Sequence, residues 1–240
     1  MALPKIDLPA YKLNLKTSNR TITFRPFVVK EEKLLMIALE SNQFDTIMDT
    51  IKQVINNCVL EDDLDVDDLP LFELEHLFLN LRARSVGEVV ELPYICKNEV
   101  DDKKCGGNMV AQVDLLKVDV ETPDIDPIIK LTDSVGIKLK YPTVSITKLI
   151  AEDYDNTDTA LKIIEHCTEY LFDEQQIYKP EEMQHGEFTE FIQNLTKEQY
   201  QSIKRFFDDI PTIRHNVDLK CTKCGKDHTI KLEGLLDFFE

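Results

Sequence analysis

The stretch of residues 213–232, IRHNVDLKCTKCGKDHTIKL, places a short cysteine motif between two strand-like segments. The segments 213–220 and 228–232 flank the motif Cys221-Thr-Lys-Cys224-Gly225, so the pattern predicts a β-hairpin. The glycine follows the second cysteine, where the backbone must turn, often with a positive φ, so that amide groups can point at sulfur. Such a turn is typical of one half of a structural zinc site.

A second cysteine pair lies upstream, in the motif Cys96-x8-Cys105-Gly106-Gly107. Strand-like residues at 88–95 and 109–120 flank it, which again predicts a hairpin. Because the two motifs together supply four thiolates, they form the closed ligand set of a structural zinc ion. We therefore expect one Zn²⁺, held by four residues: Cys96, Cys105, Cys221 and Cys224.

The cysteines have other interpretations, which the sequence leaves open. They could be reduced core residues, or Cys221 and Cys224 could be a redox pair, although no helix start follows to lower a thiol pKa. His215 or His228 could replace a cysteine of the first pair as a ligand. The remaining two, Cys58 and Cys167, lie on apolar helical faces and are expected in the core.

Composition narrows the class of partner. The 240 residues carry 45 Asp and Glu against 28 Lys and Arg, a net charge of -17. This acidity disfavours nucleic acid and anionic membranes as partners, because both repel an acidic protein. We find no signal peptide and no 18-residue apolar run, so short-range cysteine pairs are interpreted as metal ligands in a reducing compartment. We therefore expect a protein that binds other proteins.

The predicted fold class is α+β and mostly helical, with two zinc-knuckle β-hairpins that form a split zinc-ribbon-like β region. The helical prediction rests on apolar periodicity in 31–87 and in the acidic segment 142–211. We predict five regions: an N-terminal arm (1–30), a helical region (31–87), the first knuckle hairpin with further strands (88–141), an acidic helical insert (142–211), and the second knuckle hairpin with a C-terminal helix (212–240), packed against 88–120.

Two stretches are candidate contact surfaces for a partner. The cluster Phe24-Arg25-Pro26-Phe27-Val-Val-Lys-Glu-Glu-Lys33 precedes a predicted helix, and its charges could simply face solvent. Alternatively, Arg25 and two exposed aromatic side chains anchor a docking edge. The C-terminal run that contains Phe238 and Phe239 is the second candidate.

Two competing functions use the same cysteines. A zinc deaminase requires H-x-E and then P-C-x-x-C, and His185-Gly-Glu187 precedes Cys221-Thr-Lys-Cys224. However, Lys220 replaces the proline, and a β pattern follows where a deaminase needs a helix. A nucleic-acid-binding zinc ribbon would use the local lysines Lys220, Lys223, Lys226 and Lys231, against the acidity of the whole chain.

The order of several motifs resembles the baseplate protein family of T-even-type phages. The resemblance runs from about residue 8 to 240, through Phe24 to Leu35, Leu81-Arg-Ala-Arg-Ser-Val-Gly87, Phe206-Phe-Asp-Asp-Ile-Pro211, Arg214-His215, the second cysteine motif and Leu232 to Phe239. It implies a non-enzymatic baseplate hub protein of a contractile tail, either a structural subunit or an assembly chaperone. Its implied partners are hub or tape-measure proteins, and its implied locations are the virion baseplate and the host cytoplasm during assembly.

Overall fold

The computed structural model describes residues 6–147 and 157–238, which separate into two units by their internal contacts. The first unit is discontinuous and comprises Met1–Val66, Phe72–Glu121 and Thr212–Glu240. The second unit comprises Asp67–Leu71 and Thr122–Pro211. Most of the second unit is therefore a single insertion into the chain of the first.

The α-helices of the described residues are short, and the first three have three or four turns each. Among the described residues the α-helices are α1 (Val29–Glu40), α2 (Phe44–Cys58), α3 (Leu71–Ser85), α4 (Thr157–Cys167), α5 (Glu187–Gln193) and α6 (Lys197–Asp208). A capping box stabilises the start of α6. The Thr196 hydroxyl accepts a hydrogen bond from the Gln199 N–H, and the Gln199 side chain accepts one from the Thr196 N–H. No helix in the described part of the chain is long and apolar enough to cross a membrane.

The strands are short and pair in antiparallel fashion. They are β1 (Tyr11–Leu15), β2 (Arg20–Phe24), β3 (Val89–Ile95), β4 (Glu99–Val100), β5 (Lys103–Lys104), β6 (Asn108–Asp114), β7 (Asp119–Glu121), β8 (Ile128–Lys130), β9 (Gly136–Leu139), β10 (Thr168–Phe172), β11 (Ile177–Tyr178), β12 (Thr212–Lys220) and β13 (Asp227–Glu233). The sheet orders are β1-β2, β3-β6, β4-β5, β13-β12-β7 and β11-β10-β9-β8.

The prediction of a mostly helical fold is wrong. Of the described residues, 39 % are helical and 29 % are in strands, which form five small sheets. β10 and β11 lie within the segment predicted as an acidic helical insert, because Thr168, Tyr170 and Phe172 favour strands and β10 pairs with β9. This pairing is a tertiary contact that helical periodicity does not reveal.

The predicted split zinc-ribbon-like β region is not observed as a separate region either. The two cysteine-bearing hairpins belong to different sheets. β3 and β6 form a sheet of two strands, whereas β12 is the middle strand of the sheet β13-β12-β7. β7 joins this sheet because its residues 119–121 pair with 212–214, across the insertion of the second unit.

The core of the first unit is centred on α3, which is buried around most of its circumference. Leu15 and Ile22, from β1 and β2, and Val54 and Ile55, from α2, are also fully buried. The α3 side chains that are 2 % exposed or less and apolar are Leu74, Leu77, Phe78, Leu79 and Leu81. Apolar burial of this kind is the main stabilising term for the unit.

A buried carboxylate connects the start of α1 to the end of α2. Glu31 is completely buried, and its Oε1 accepts from Arg25 Nη2 (3.1 Å) and Lys30 Nζ (3.3 Å). Its Oε2 accepts from the Val28 N–H (3.0 Å). Arg25 Nη2 also donates to the Asn57 carbonyl near the end of α2 (2.8 Å). Burial opposes ionisation, but the Val28 hydrogen bond and the two cations hold the pKa of Glu31 below its ordinary value.

Glu75 on α3 shows the opposite balance and leads to a prediction about pH. Burial raises its pKa to about 7, although the Leu235 N–H donates to Oε1 (3.3 Å). The protonated Glu75 therefore contributes to the stability of the folded state below the unfolded-state pKa, about 4.3. This contribution is lost as the pH rises through 7. We expect Glu75→Gln to match the wild type near pH 4 and to be more stable by about 2 kcal/mol at pH 8.

Urea unfolding at both pH values measures the difference. Glu40→Gln, which removes an exposed carboxylate at the end of α1, is the matched control and should change little at either pH. Equal stability of Glu75→Gln and the wild type at pH 8 would contradict the assignment.

The second unit has its own core beneath the sheet β11-β10-β9-β8. Tyr141 stacks on Phe206 of α6 with ring centroids 5.9 Å apart. The buried residues of this core come from the sheet and from α4, α5 and α6, and they include Ile137, Leu139, Leu171, Leu161, Ile164, Phe188, Ile192, Ile203 and Phe206. The unit therefore buries apolar side chains independently of the first.

Candidate metal centre

The first cysteine turn closes in spite of its eight intervening residues. Cys96 directly follows β3, and the short hairpin β4–β5 brings the chain back to Cys105. The Cys96 N–H donates to the Gly107 carbonyl (2.8 Å), and the Gly106 N–H donates to the Cys96 carbonyl (3.1 Å). A further bond joins the Cys105 N–H to the Asn98 carbonyl (2.7 Å). β4 and β5 thus take up the additional length of the loop.

The second turn repeats the same backbone pattern with only two intervening residues. The Cys221 N–H donates to the Lys226 carbonyl (2.9 Å), and the Gly225 N–H donates to the Cys221 carbonyl (2.9 Å). In both turns the glycine after the second cysteine has a positive φ, +61° at Gly106 and +71° at Gly225. The predicted need for glycine at these positions is confirmed, because other L-residues rarely adopt this conformation.

All four sulfur atoms converge between the two hairpins. Each Sγ lies within 4.8 Å of the other three. Cys96 Sγ is 3.7 Å from Cys224 Sγ, and Cys105 Sγ is 3.8 Å from Cys221 Sγ. Sulfurs bound at about 2.3 Å to a tetrahedral zinc lie about 3.8 Å apart, whereas a disulfide requires about 2.05 Å. The spacing therefore fits a shared metal ion and excludes a disulfide.

The surroundings of the cluster are largely closed to solvent. Cys96 and Cys221 are each 1 % exposed, and Tyr94, Met109 and Leu219 pack against the cluster. Burial of this kind favours a structural ion over a catalytic one, which needs an open position for water or substrate.

Polar groups next to the sulfurs complete the site. Asn98 Nδ2 donates to Cys224 Sγ (3.7 Å), and Lys223 Nζ donates to the Cys105 carbonyl. His228 Nε2 lies 3.2 Å from Cys96 Sγ, yet the converging set consists of the four cysteines. Of the two histidines considered as ligands, His228 therefore lies beside a sulfur of the cluster.

The pKa values of the cysteines differ between the two hairpins. The Lys226 backbone N–H lowers the pKa of Cys224 to about 6, and the Cys224 N–H lowers the pKa of Cys221. Burial raises the pKa of Cys96 to about 12. The second hairpin thus presents thiolates readily, and a divalent cation among the sulfurs would favour the thiolate form of the first pair as well.

Gly107 was not singled out by the sequence patterns, but it determines how closely the two turns approach. A Cβ at this position would lie 2.7 Å from Cys221 Sγ, closer than real Cβ atoms approach a neighbour. We expect Gly107→Ala to displace this sulfur and to weaken zinc binding at least about tenfold, measured by competition with a chromogenic chelator.

A control for this prediction is available in the adjacent glycine. Gly106 has open space around its Cα, and asparagine tolerates its positive φ, so Gly106→Asn should bind zinc with nearly unchanged affinity. Equal affinities of Gly107→Ala and the wild type would show that the turns are not packed as described.

Three of the five candidate partner-contact residues are buried in the structure. Phe24, Phe27 and Phe238 are 2 %, 8 % and 0 % exposed, so the expectation of exposed aromatic side chains is wrong. Arg25 is engaged with Glu31 and the end of α2, which explains the cluster as a structural element. Phe239 lies outside the described residues. Contact of these residues with a partner stays a prediction.

The residues of the competing deaminase motif and the cysteine cluster belong to different units of the chain. His185 and Glu187 belong to the second unit, whereas the four converging cysteines belong to the first. The two other cysteines, Cys58 and Cys167, are completely buried and lie outside the cluster. The predicted core role of these two is confirmed.

The fold and the site together define an α+β protein of two units. In its first unit, two hairpins that are distant in the sequence bring four cysteines together in one cluster. The chain belongs to the T4 bacteriophage base plate protein family, whose sequence profile matches residues 8–240. It is 27 % identical over 232 residues to the baseplate hub assembly protein gp26 of Enterobacteria phage T4. This alignment covers 96 % of our chain and 98 % of that protein. No solved structure gave a significant match. The resemblance predicted from the motifs is confirmed.

Proposed function

We propose that this protein is a non-enzymatic assembly factor for the baseplate hub of a contractile phage tail. The observation that supports this most strongly is the alignment with a hub assembly protein over nearly the full length of both chains. The closed, all-cysteine cluster supports a structural role, because it leaves no position for a substrate. Its partners are other tail proteins, either hub or tape-measure components, encountered in the host cytoplasm.

The distinction between an assembly factor and a permanent subunit is tested with the phage itself. We expect loss of the gene to abolish hub formation, and the protein to co-purify with hub intermediates. Quantitative mass spectrometry of purified virions should then find it well below one copy per tail. A fixed stoichiometry in finished virions would instead identify a baseplate subunit, and normal tails without the gene would contradict both roles.

We further propose that the cluster holds one structural Zn²⁺ through Cys96, Cys105, Cys221 and Cys224. The sulfur spacing and the burial of the site support this ligand set. The ion would join residues that are 116 positions apart, Cys105 and Cys221, and so would connect the two ends of the segment that carries the inserted unit. Its function is therefore to hold together a discontinuous unit.

A further inference from the structure

Helix α1 has an unusual pattern for a helix at the surface. Residues 34–39, Leu-Leu-Met-Ile-Ala-Leu, are apolar around the full circumference of the helix. A helix that is apolar all round is normally buried. Here Ala38 is buried, whereas Met36 and Ile37 are 58 % and 66 % exposed.

A groove beside this exposed face could receive a partner. Its volume is about 260 Å³, and we call it the α1 groove. Buried Ala38, Ile51 and Phe78 contribute to its lining, together with the more exposed Met36 and Val86. An apolar groove flanked by exposed apolar side chains is the usual receptor surface for one face of an amphipathic helix.

Charge indicates what the groove would accept. Exposed carboxylates lie in the first turn of α1 at Glu32, at its end at Glu40 and in the first turn of α2 at Asp45. The cations nearby are Lys33 and Arg82, of which Arg82 also lines the groove. The last turn of α1 contains no basic residue, so the negative end of its dipole adds to this field. A second copy of the chain, with a net charge of -17, would be repelled. A segment with Lys or Arg beside its apolar face would be attracted.

We propose that the α1 groove binds an amphipathic helix with basic flanks, supplied by another tail protein during hub assembly. This inference rests on the proposed function for the source of the helix, but it names a separate surface. Apolar side chains at i, i+3 or i+4, and i+7 would enter the groove, and the basic flanks would face the carboxylates.

Site-specific photocrosslinking during phage infection tests the proposal. A photoreactive amino acid replaces Met36 in one protein and Ile177 in another, because Ile177 is equally exposed (57 %) but lies in the second unit. We expect the probe at residue 36 alone to crosslink to one segment of another tail protein, with helical apolar spacing and Lys or Arg flanks. Crosslinks to a second copy of this chain, to an acidic segment, or none above the Ile177 control would overturn the proposal.

Substitutions provide a second readout. The tail protein that is identified by crosslinking should co-purify with the full-length chain. Met36→Glu should reduce the amount that co-purifies at least about tenfold and leave the melting temperature unchanged. Ile177→Glu should leave that amount unchanged. If Met36→Glu has no effect while the chain is still found with hub intermediates, the groove is not the binding surface and the proposed function stands. If hubs form normally without the protein, the proposed function itself fails.

Discussion

Cys221→Ser is expected to remove most of the bound zinc and to lower the melting temperature by more than about 10 °C. The side chain is 1 % exposed and its sulfur is 3.8 Å from that of Cys105, so a serine would leave an incomplete tetrahedron in a closed site. Structural zinc contributes its binding free energy directly to folding, so loss of the ion should cost at least about 4 kcal/mol. For a chain of this size, each kcal/mol corresponds to about 2–4 °C.

Metal analysis and calorimetry on the same preparations measure this effect. The wild type should contain about one zinc per chain, and a strong chelator should lower its melting temperature to near that of Cys221→Ser. Cys167→Ala is the matched control, since Cys167 is also buried but lies outside the cluster. It should lose some packing energy and retain its zinc. A wild type that is free of metal and keeps its melting temperature would disprove the metal centre.

Glu31→Ala is expected to destabilise the protein by about 3–5 kcal/mol. The substitution leaves Arg25, which is largely buried, without its carboxylate partner, and it removes the acceptor for the Val28 N–H at the start of α1. Removal of one member of a buried ion pair costs this much because the remaining charge stays desolvated. The link between the start of α1 and the end of α2 through Arg25 would also loosen.

Urea unfolding of Glu31→Ala and of its neighbour Glu32→Ala separates this effect from a general loss of charge. Both substitutions remove one carboxylate from the first turn of α1, but Glu32 is exposed. Glu32→Ala should change the free energy of unfolding by less than about 0.5 kcal/mol. Similar values for the two variants would mean that the buried ion pair contributes little to stability.

Several local features of this fold could be predicted without the structure. The hairpins at the two cysteine motifs, the core positions of Cys58 and Cys167, and the glycines after Cys105 and Cys224 all follow from short-range patterns. The baseplate family was also recognisable, because its motifs keep their order along the chain. The hairpins, the buried cysteines and the glycines each depend on residues within a few positions of one another, whereas the family depends on the order of motifs along the whole chain.

The misassigned features depend on contacts between distant residues. Phe24 and Phe27 stand beside charged residues in the sequence, a context that suggests an exposed surface, yet both are buried. Arg25 is satisfied by Glu31 and by the Asn57 carbonyl, 32 positions away. Helical periodicity does not reveal the strand β10, because its partner β9 (Gly136–Leu139) lies upstream of helix α4.

The cysteine pairs, the glycines that let their turns close, and the baseplate family of the chain can all be recognised from the order of the amino acids. Three features become visible only in the folded chain: β4–β5 closes the long first turn, four sulfurs 3.7–4.8 Å apart meet between two sheets, and α1 keeps an apolar face exposed. The two groups of features differ in the range of the interactions that produce them. Turn geometry is set by neighbouring residues, whereas burial and charge compensation depend on which distant segments pack together.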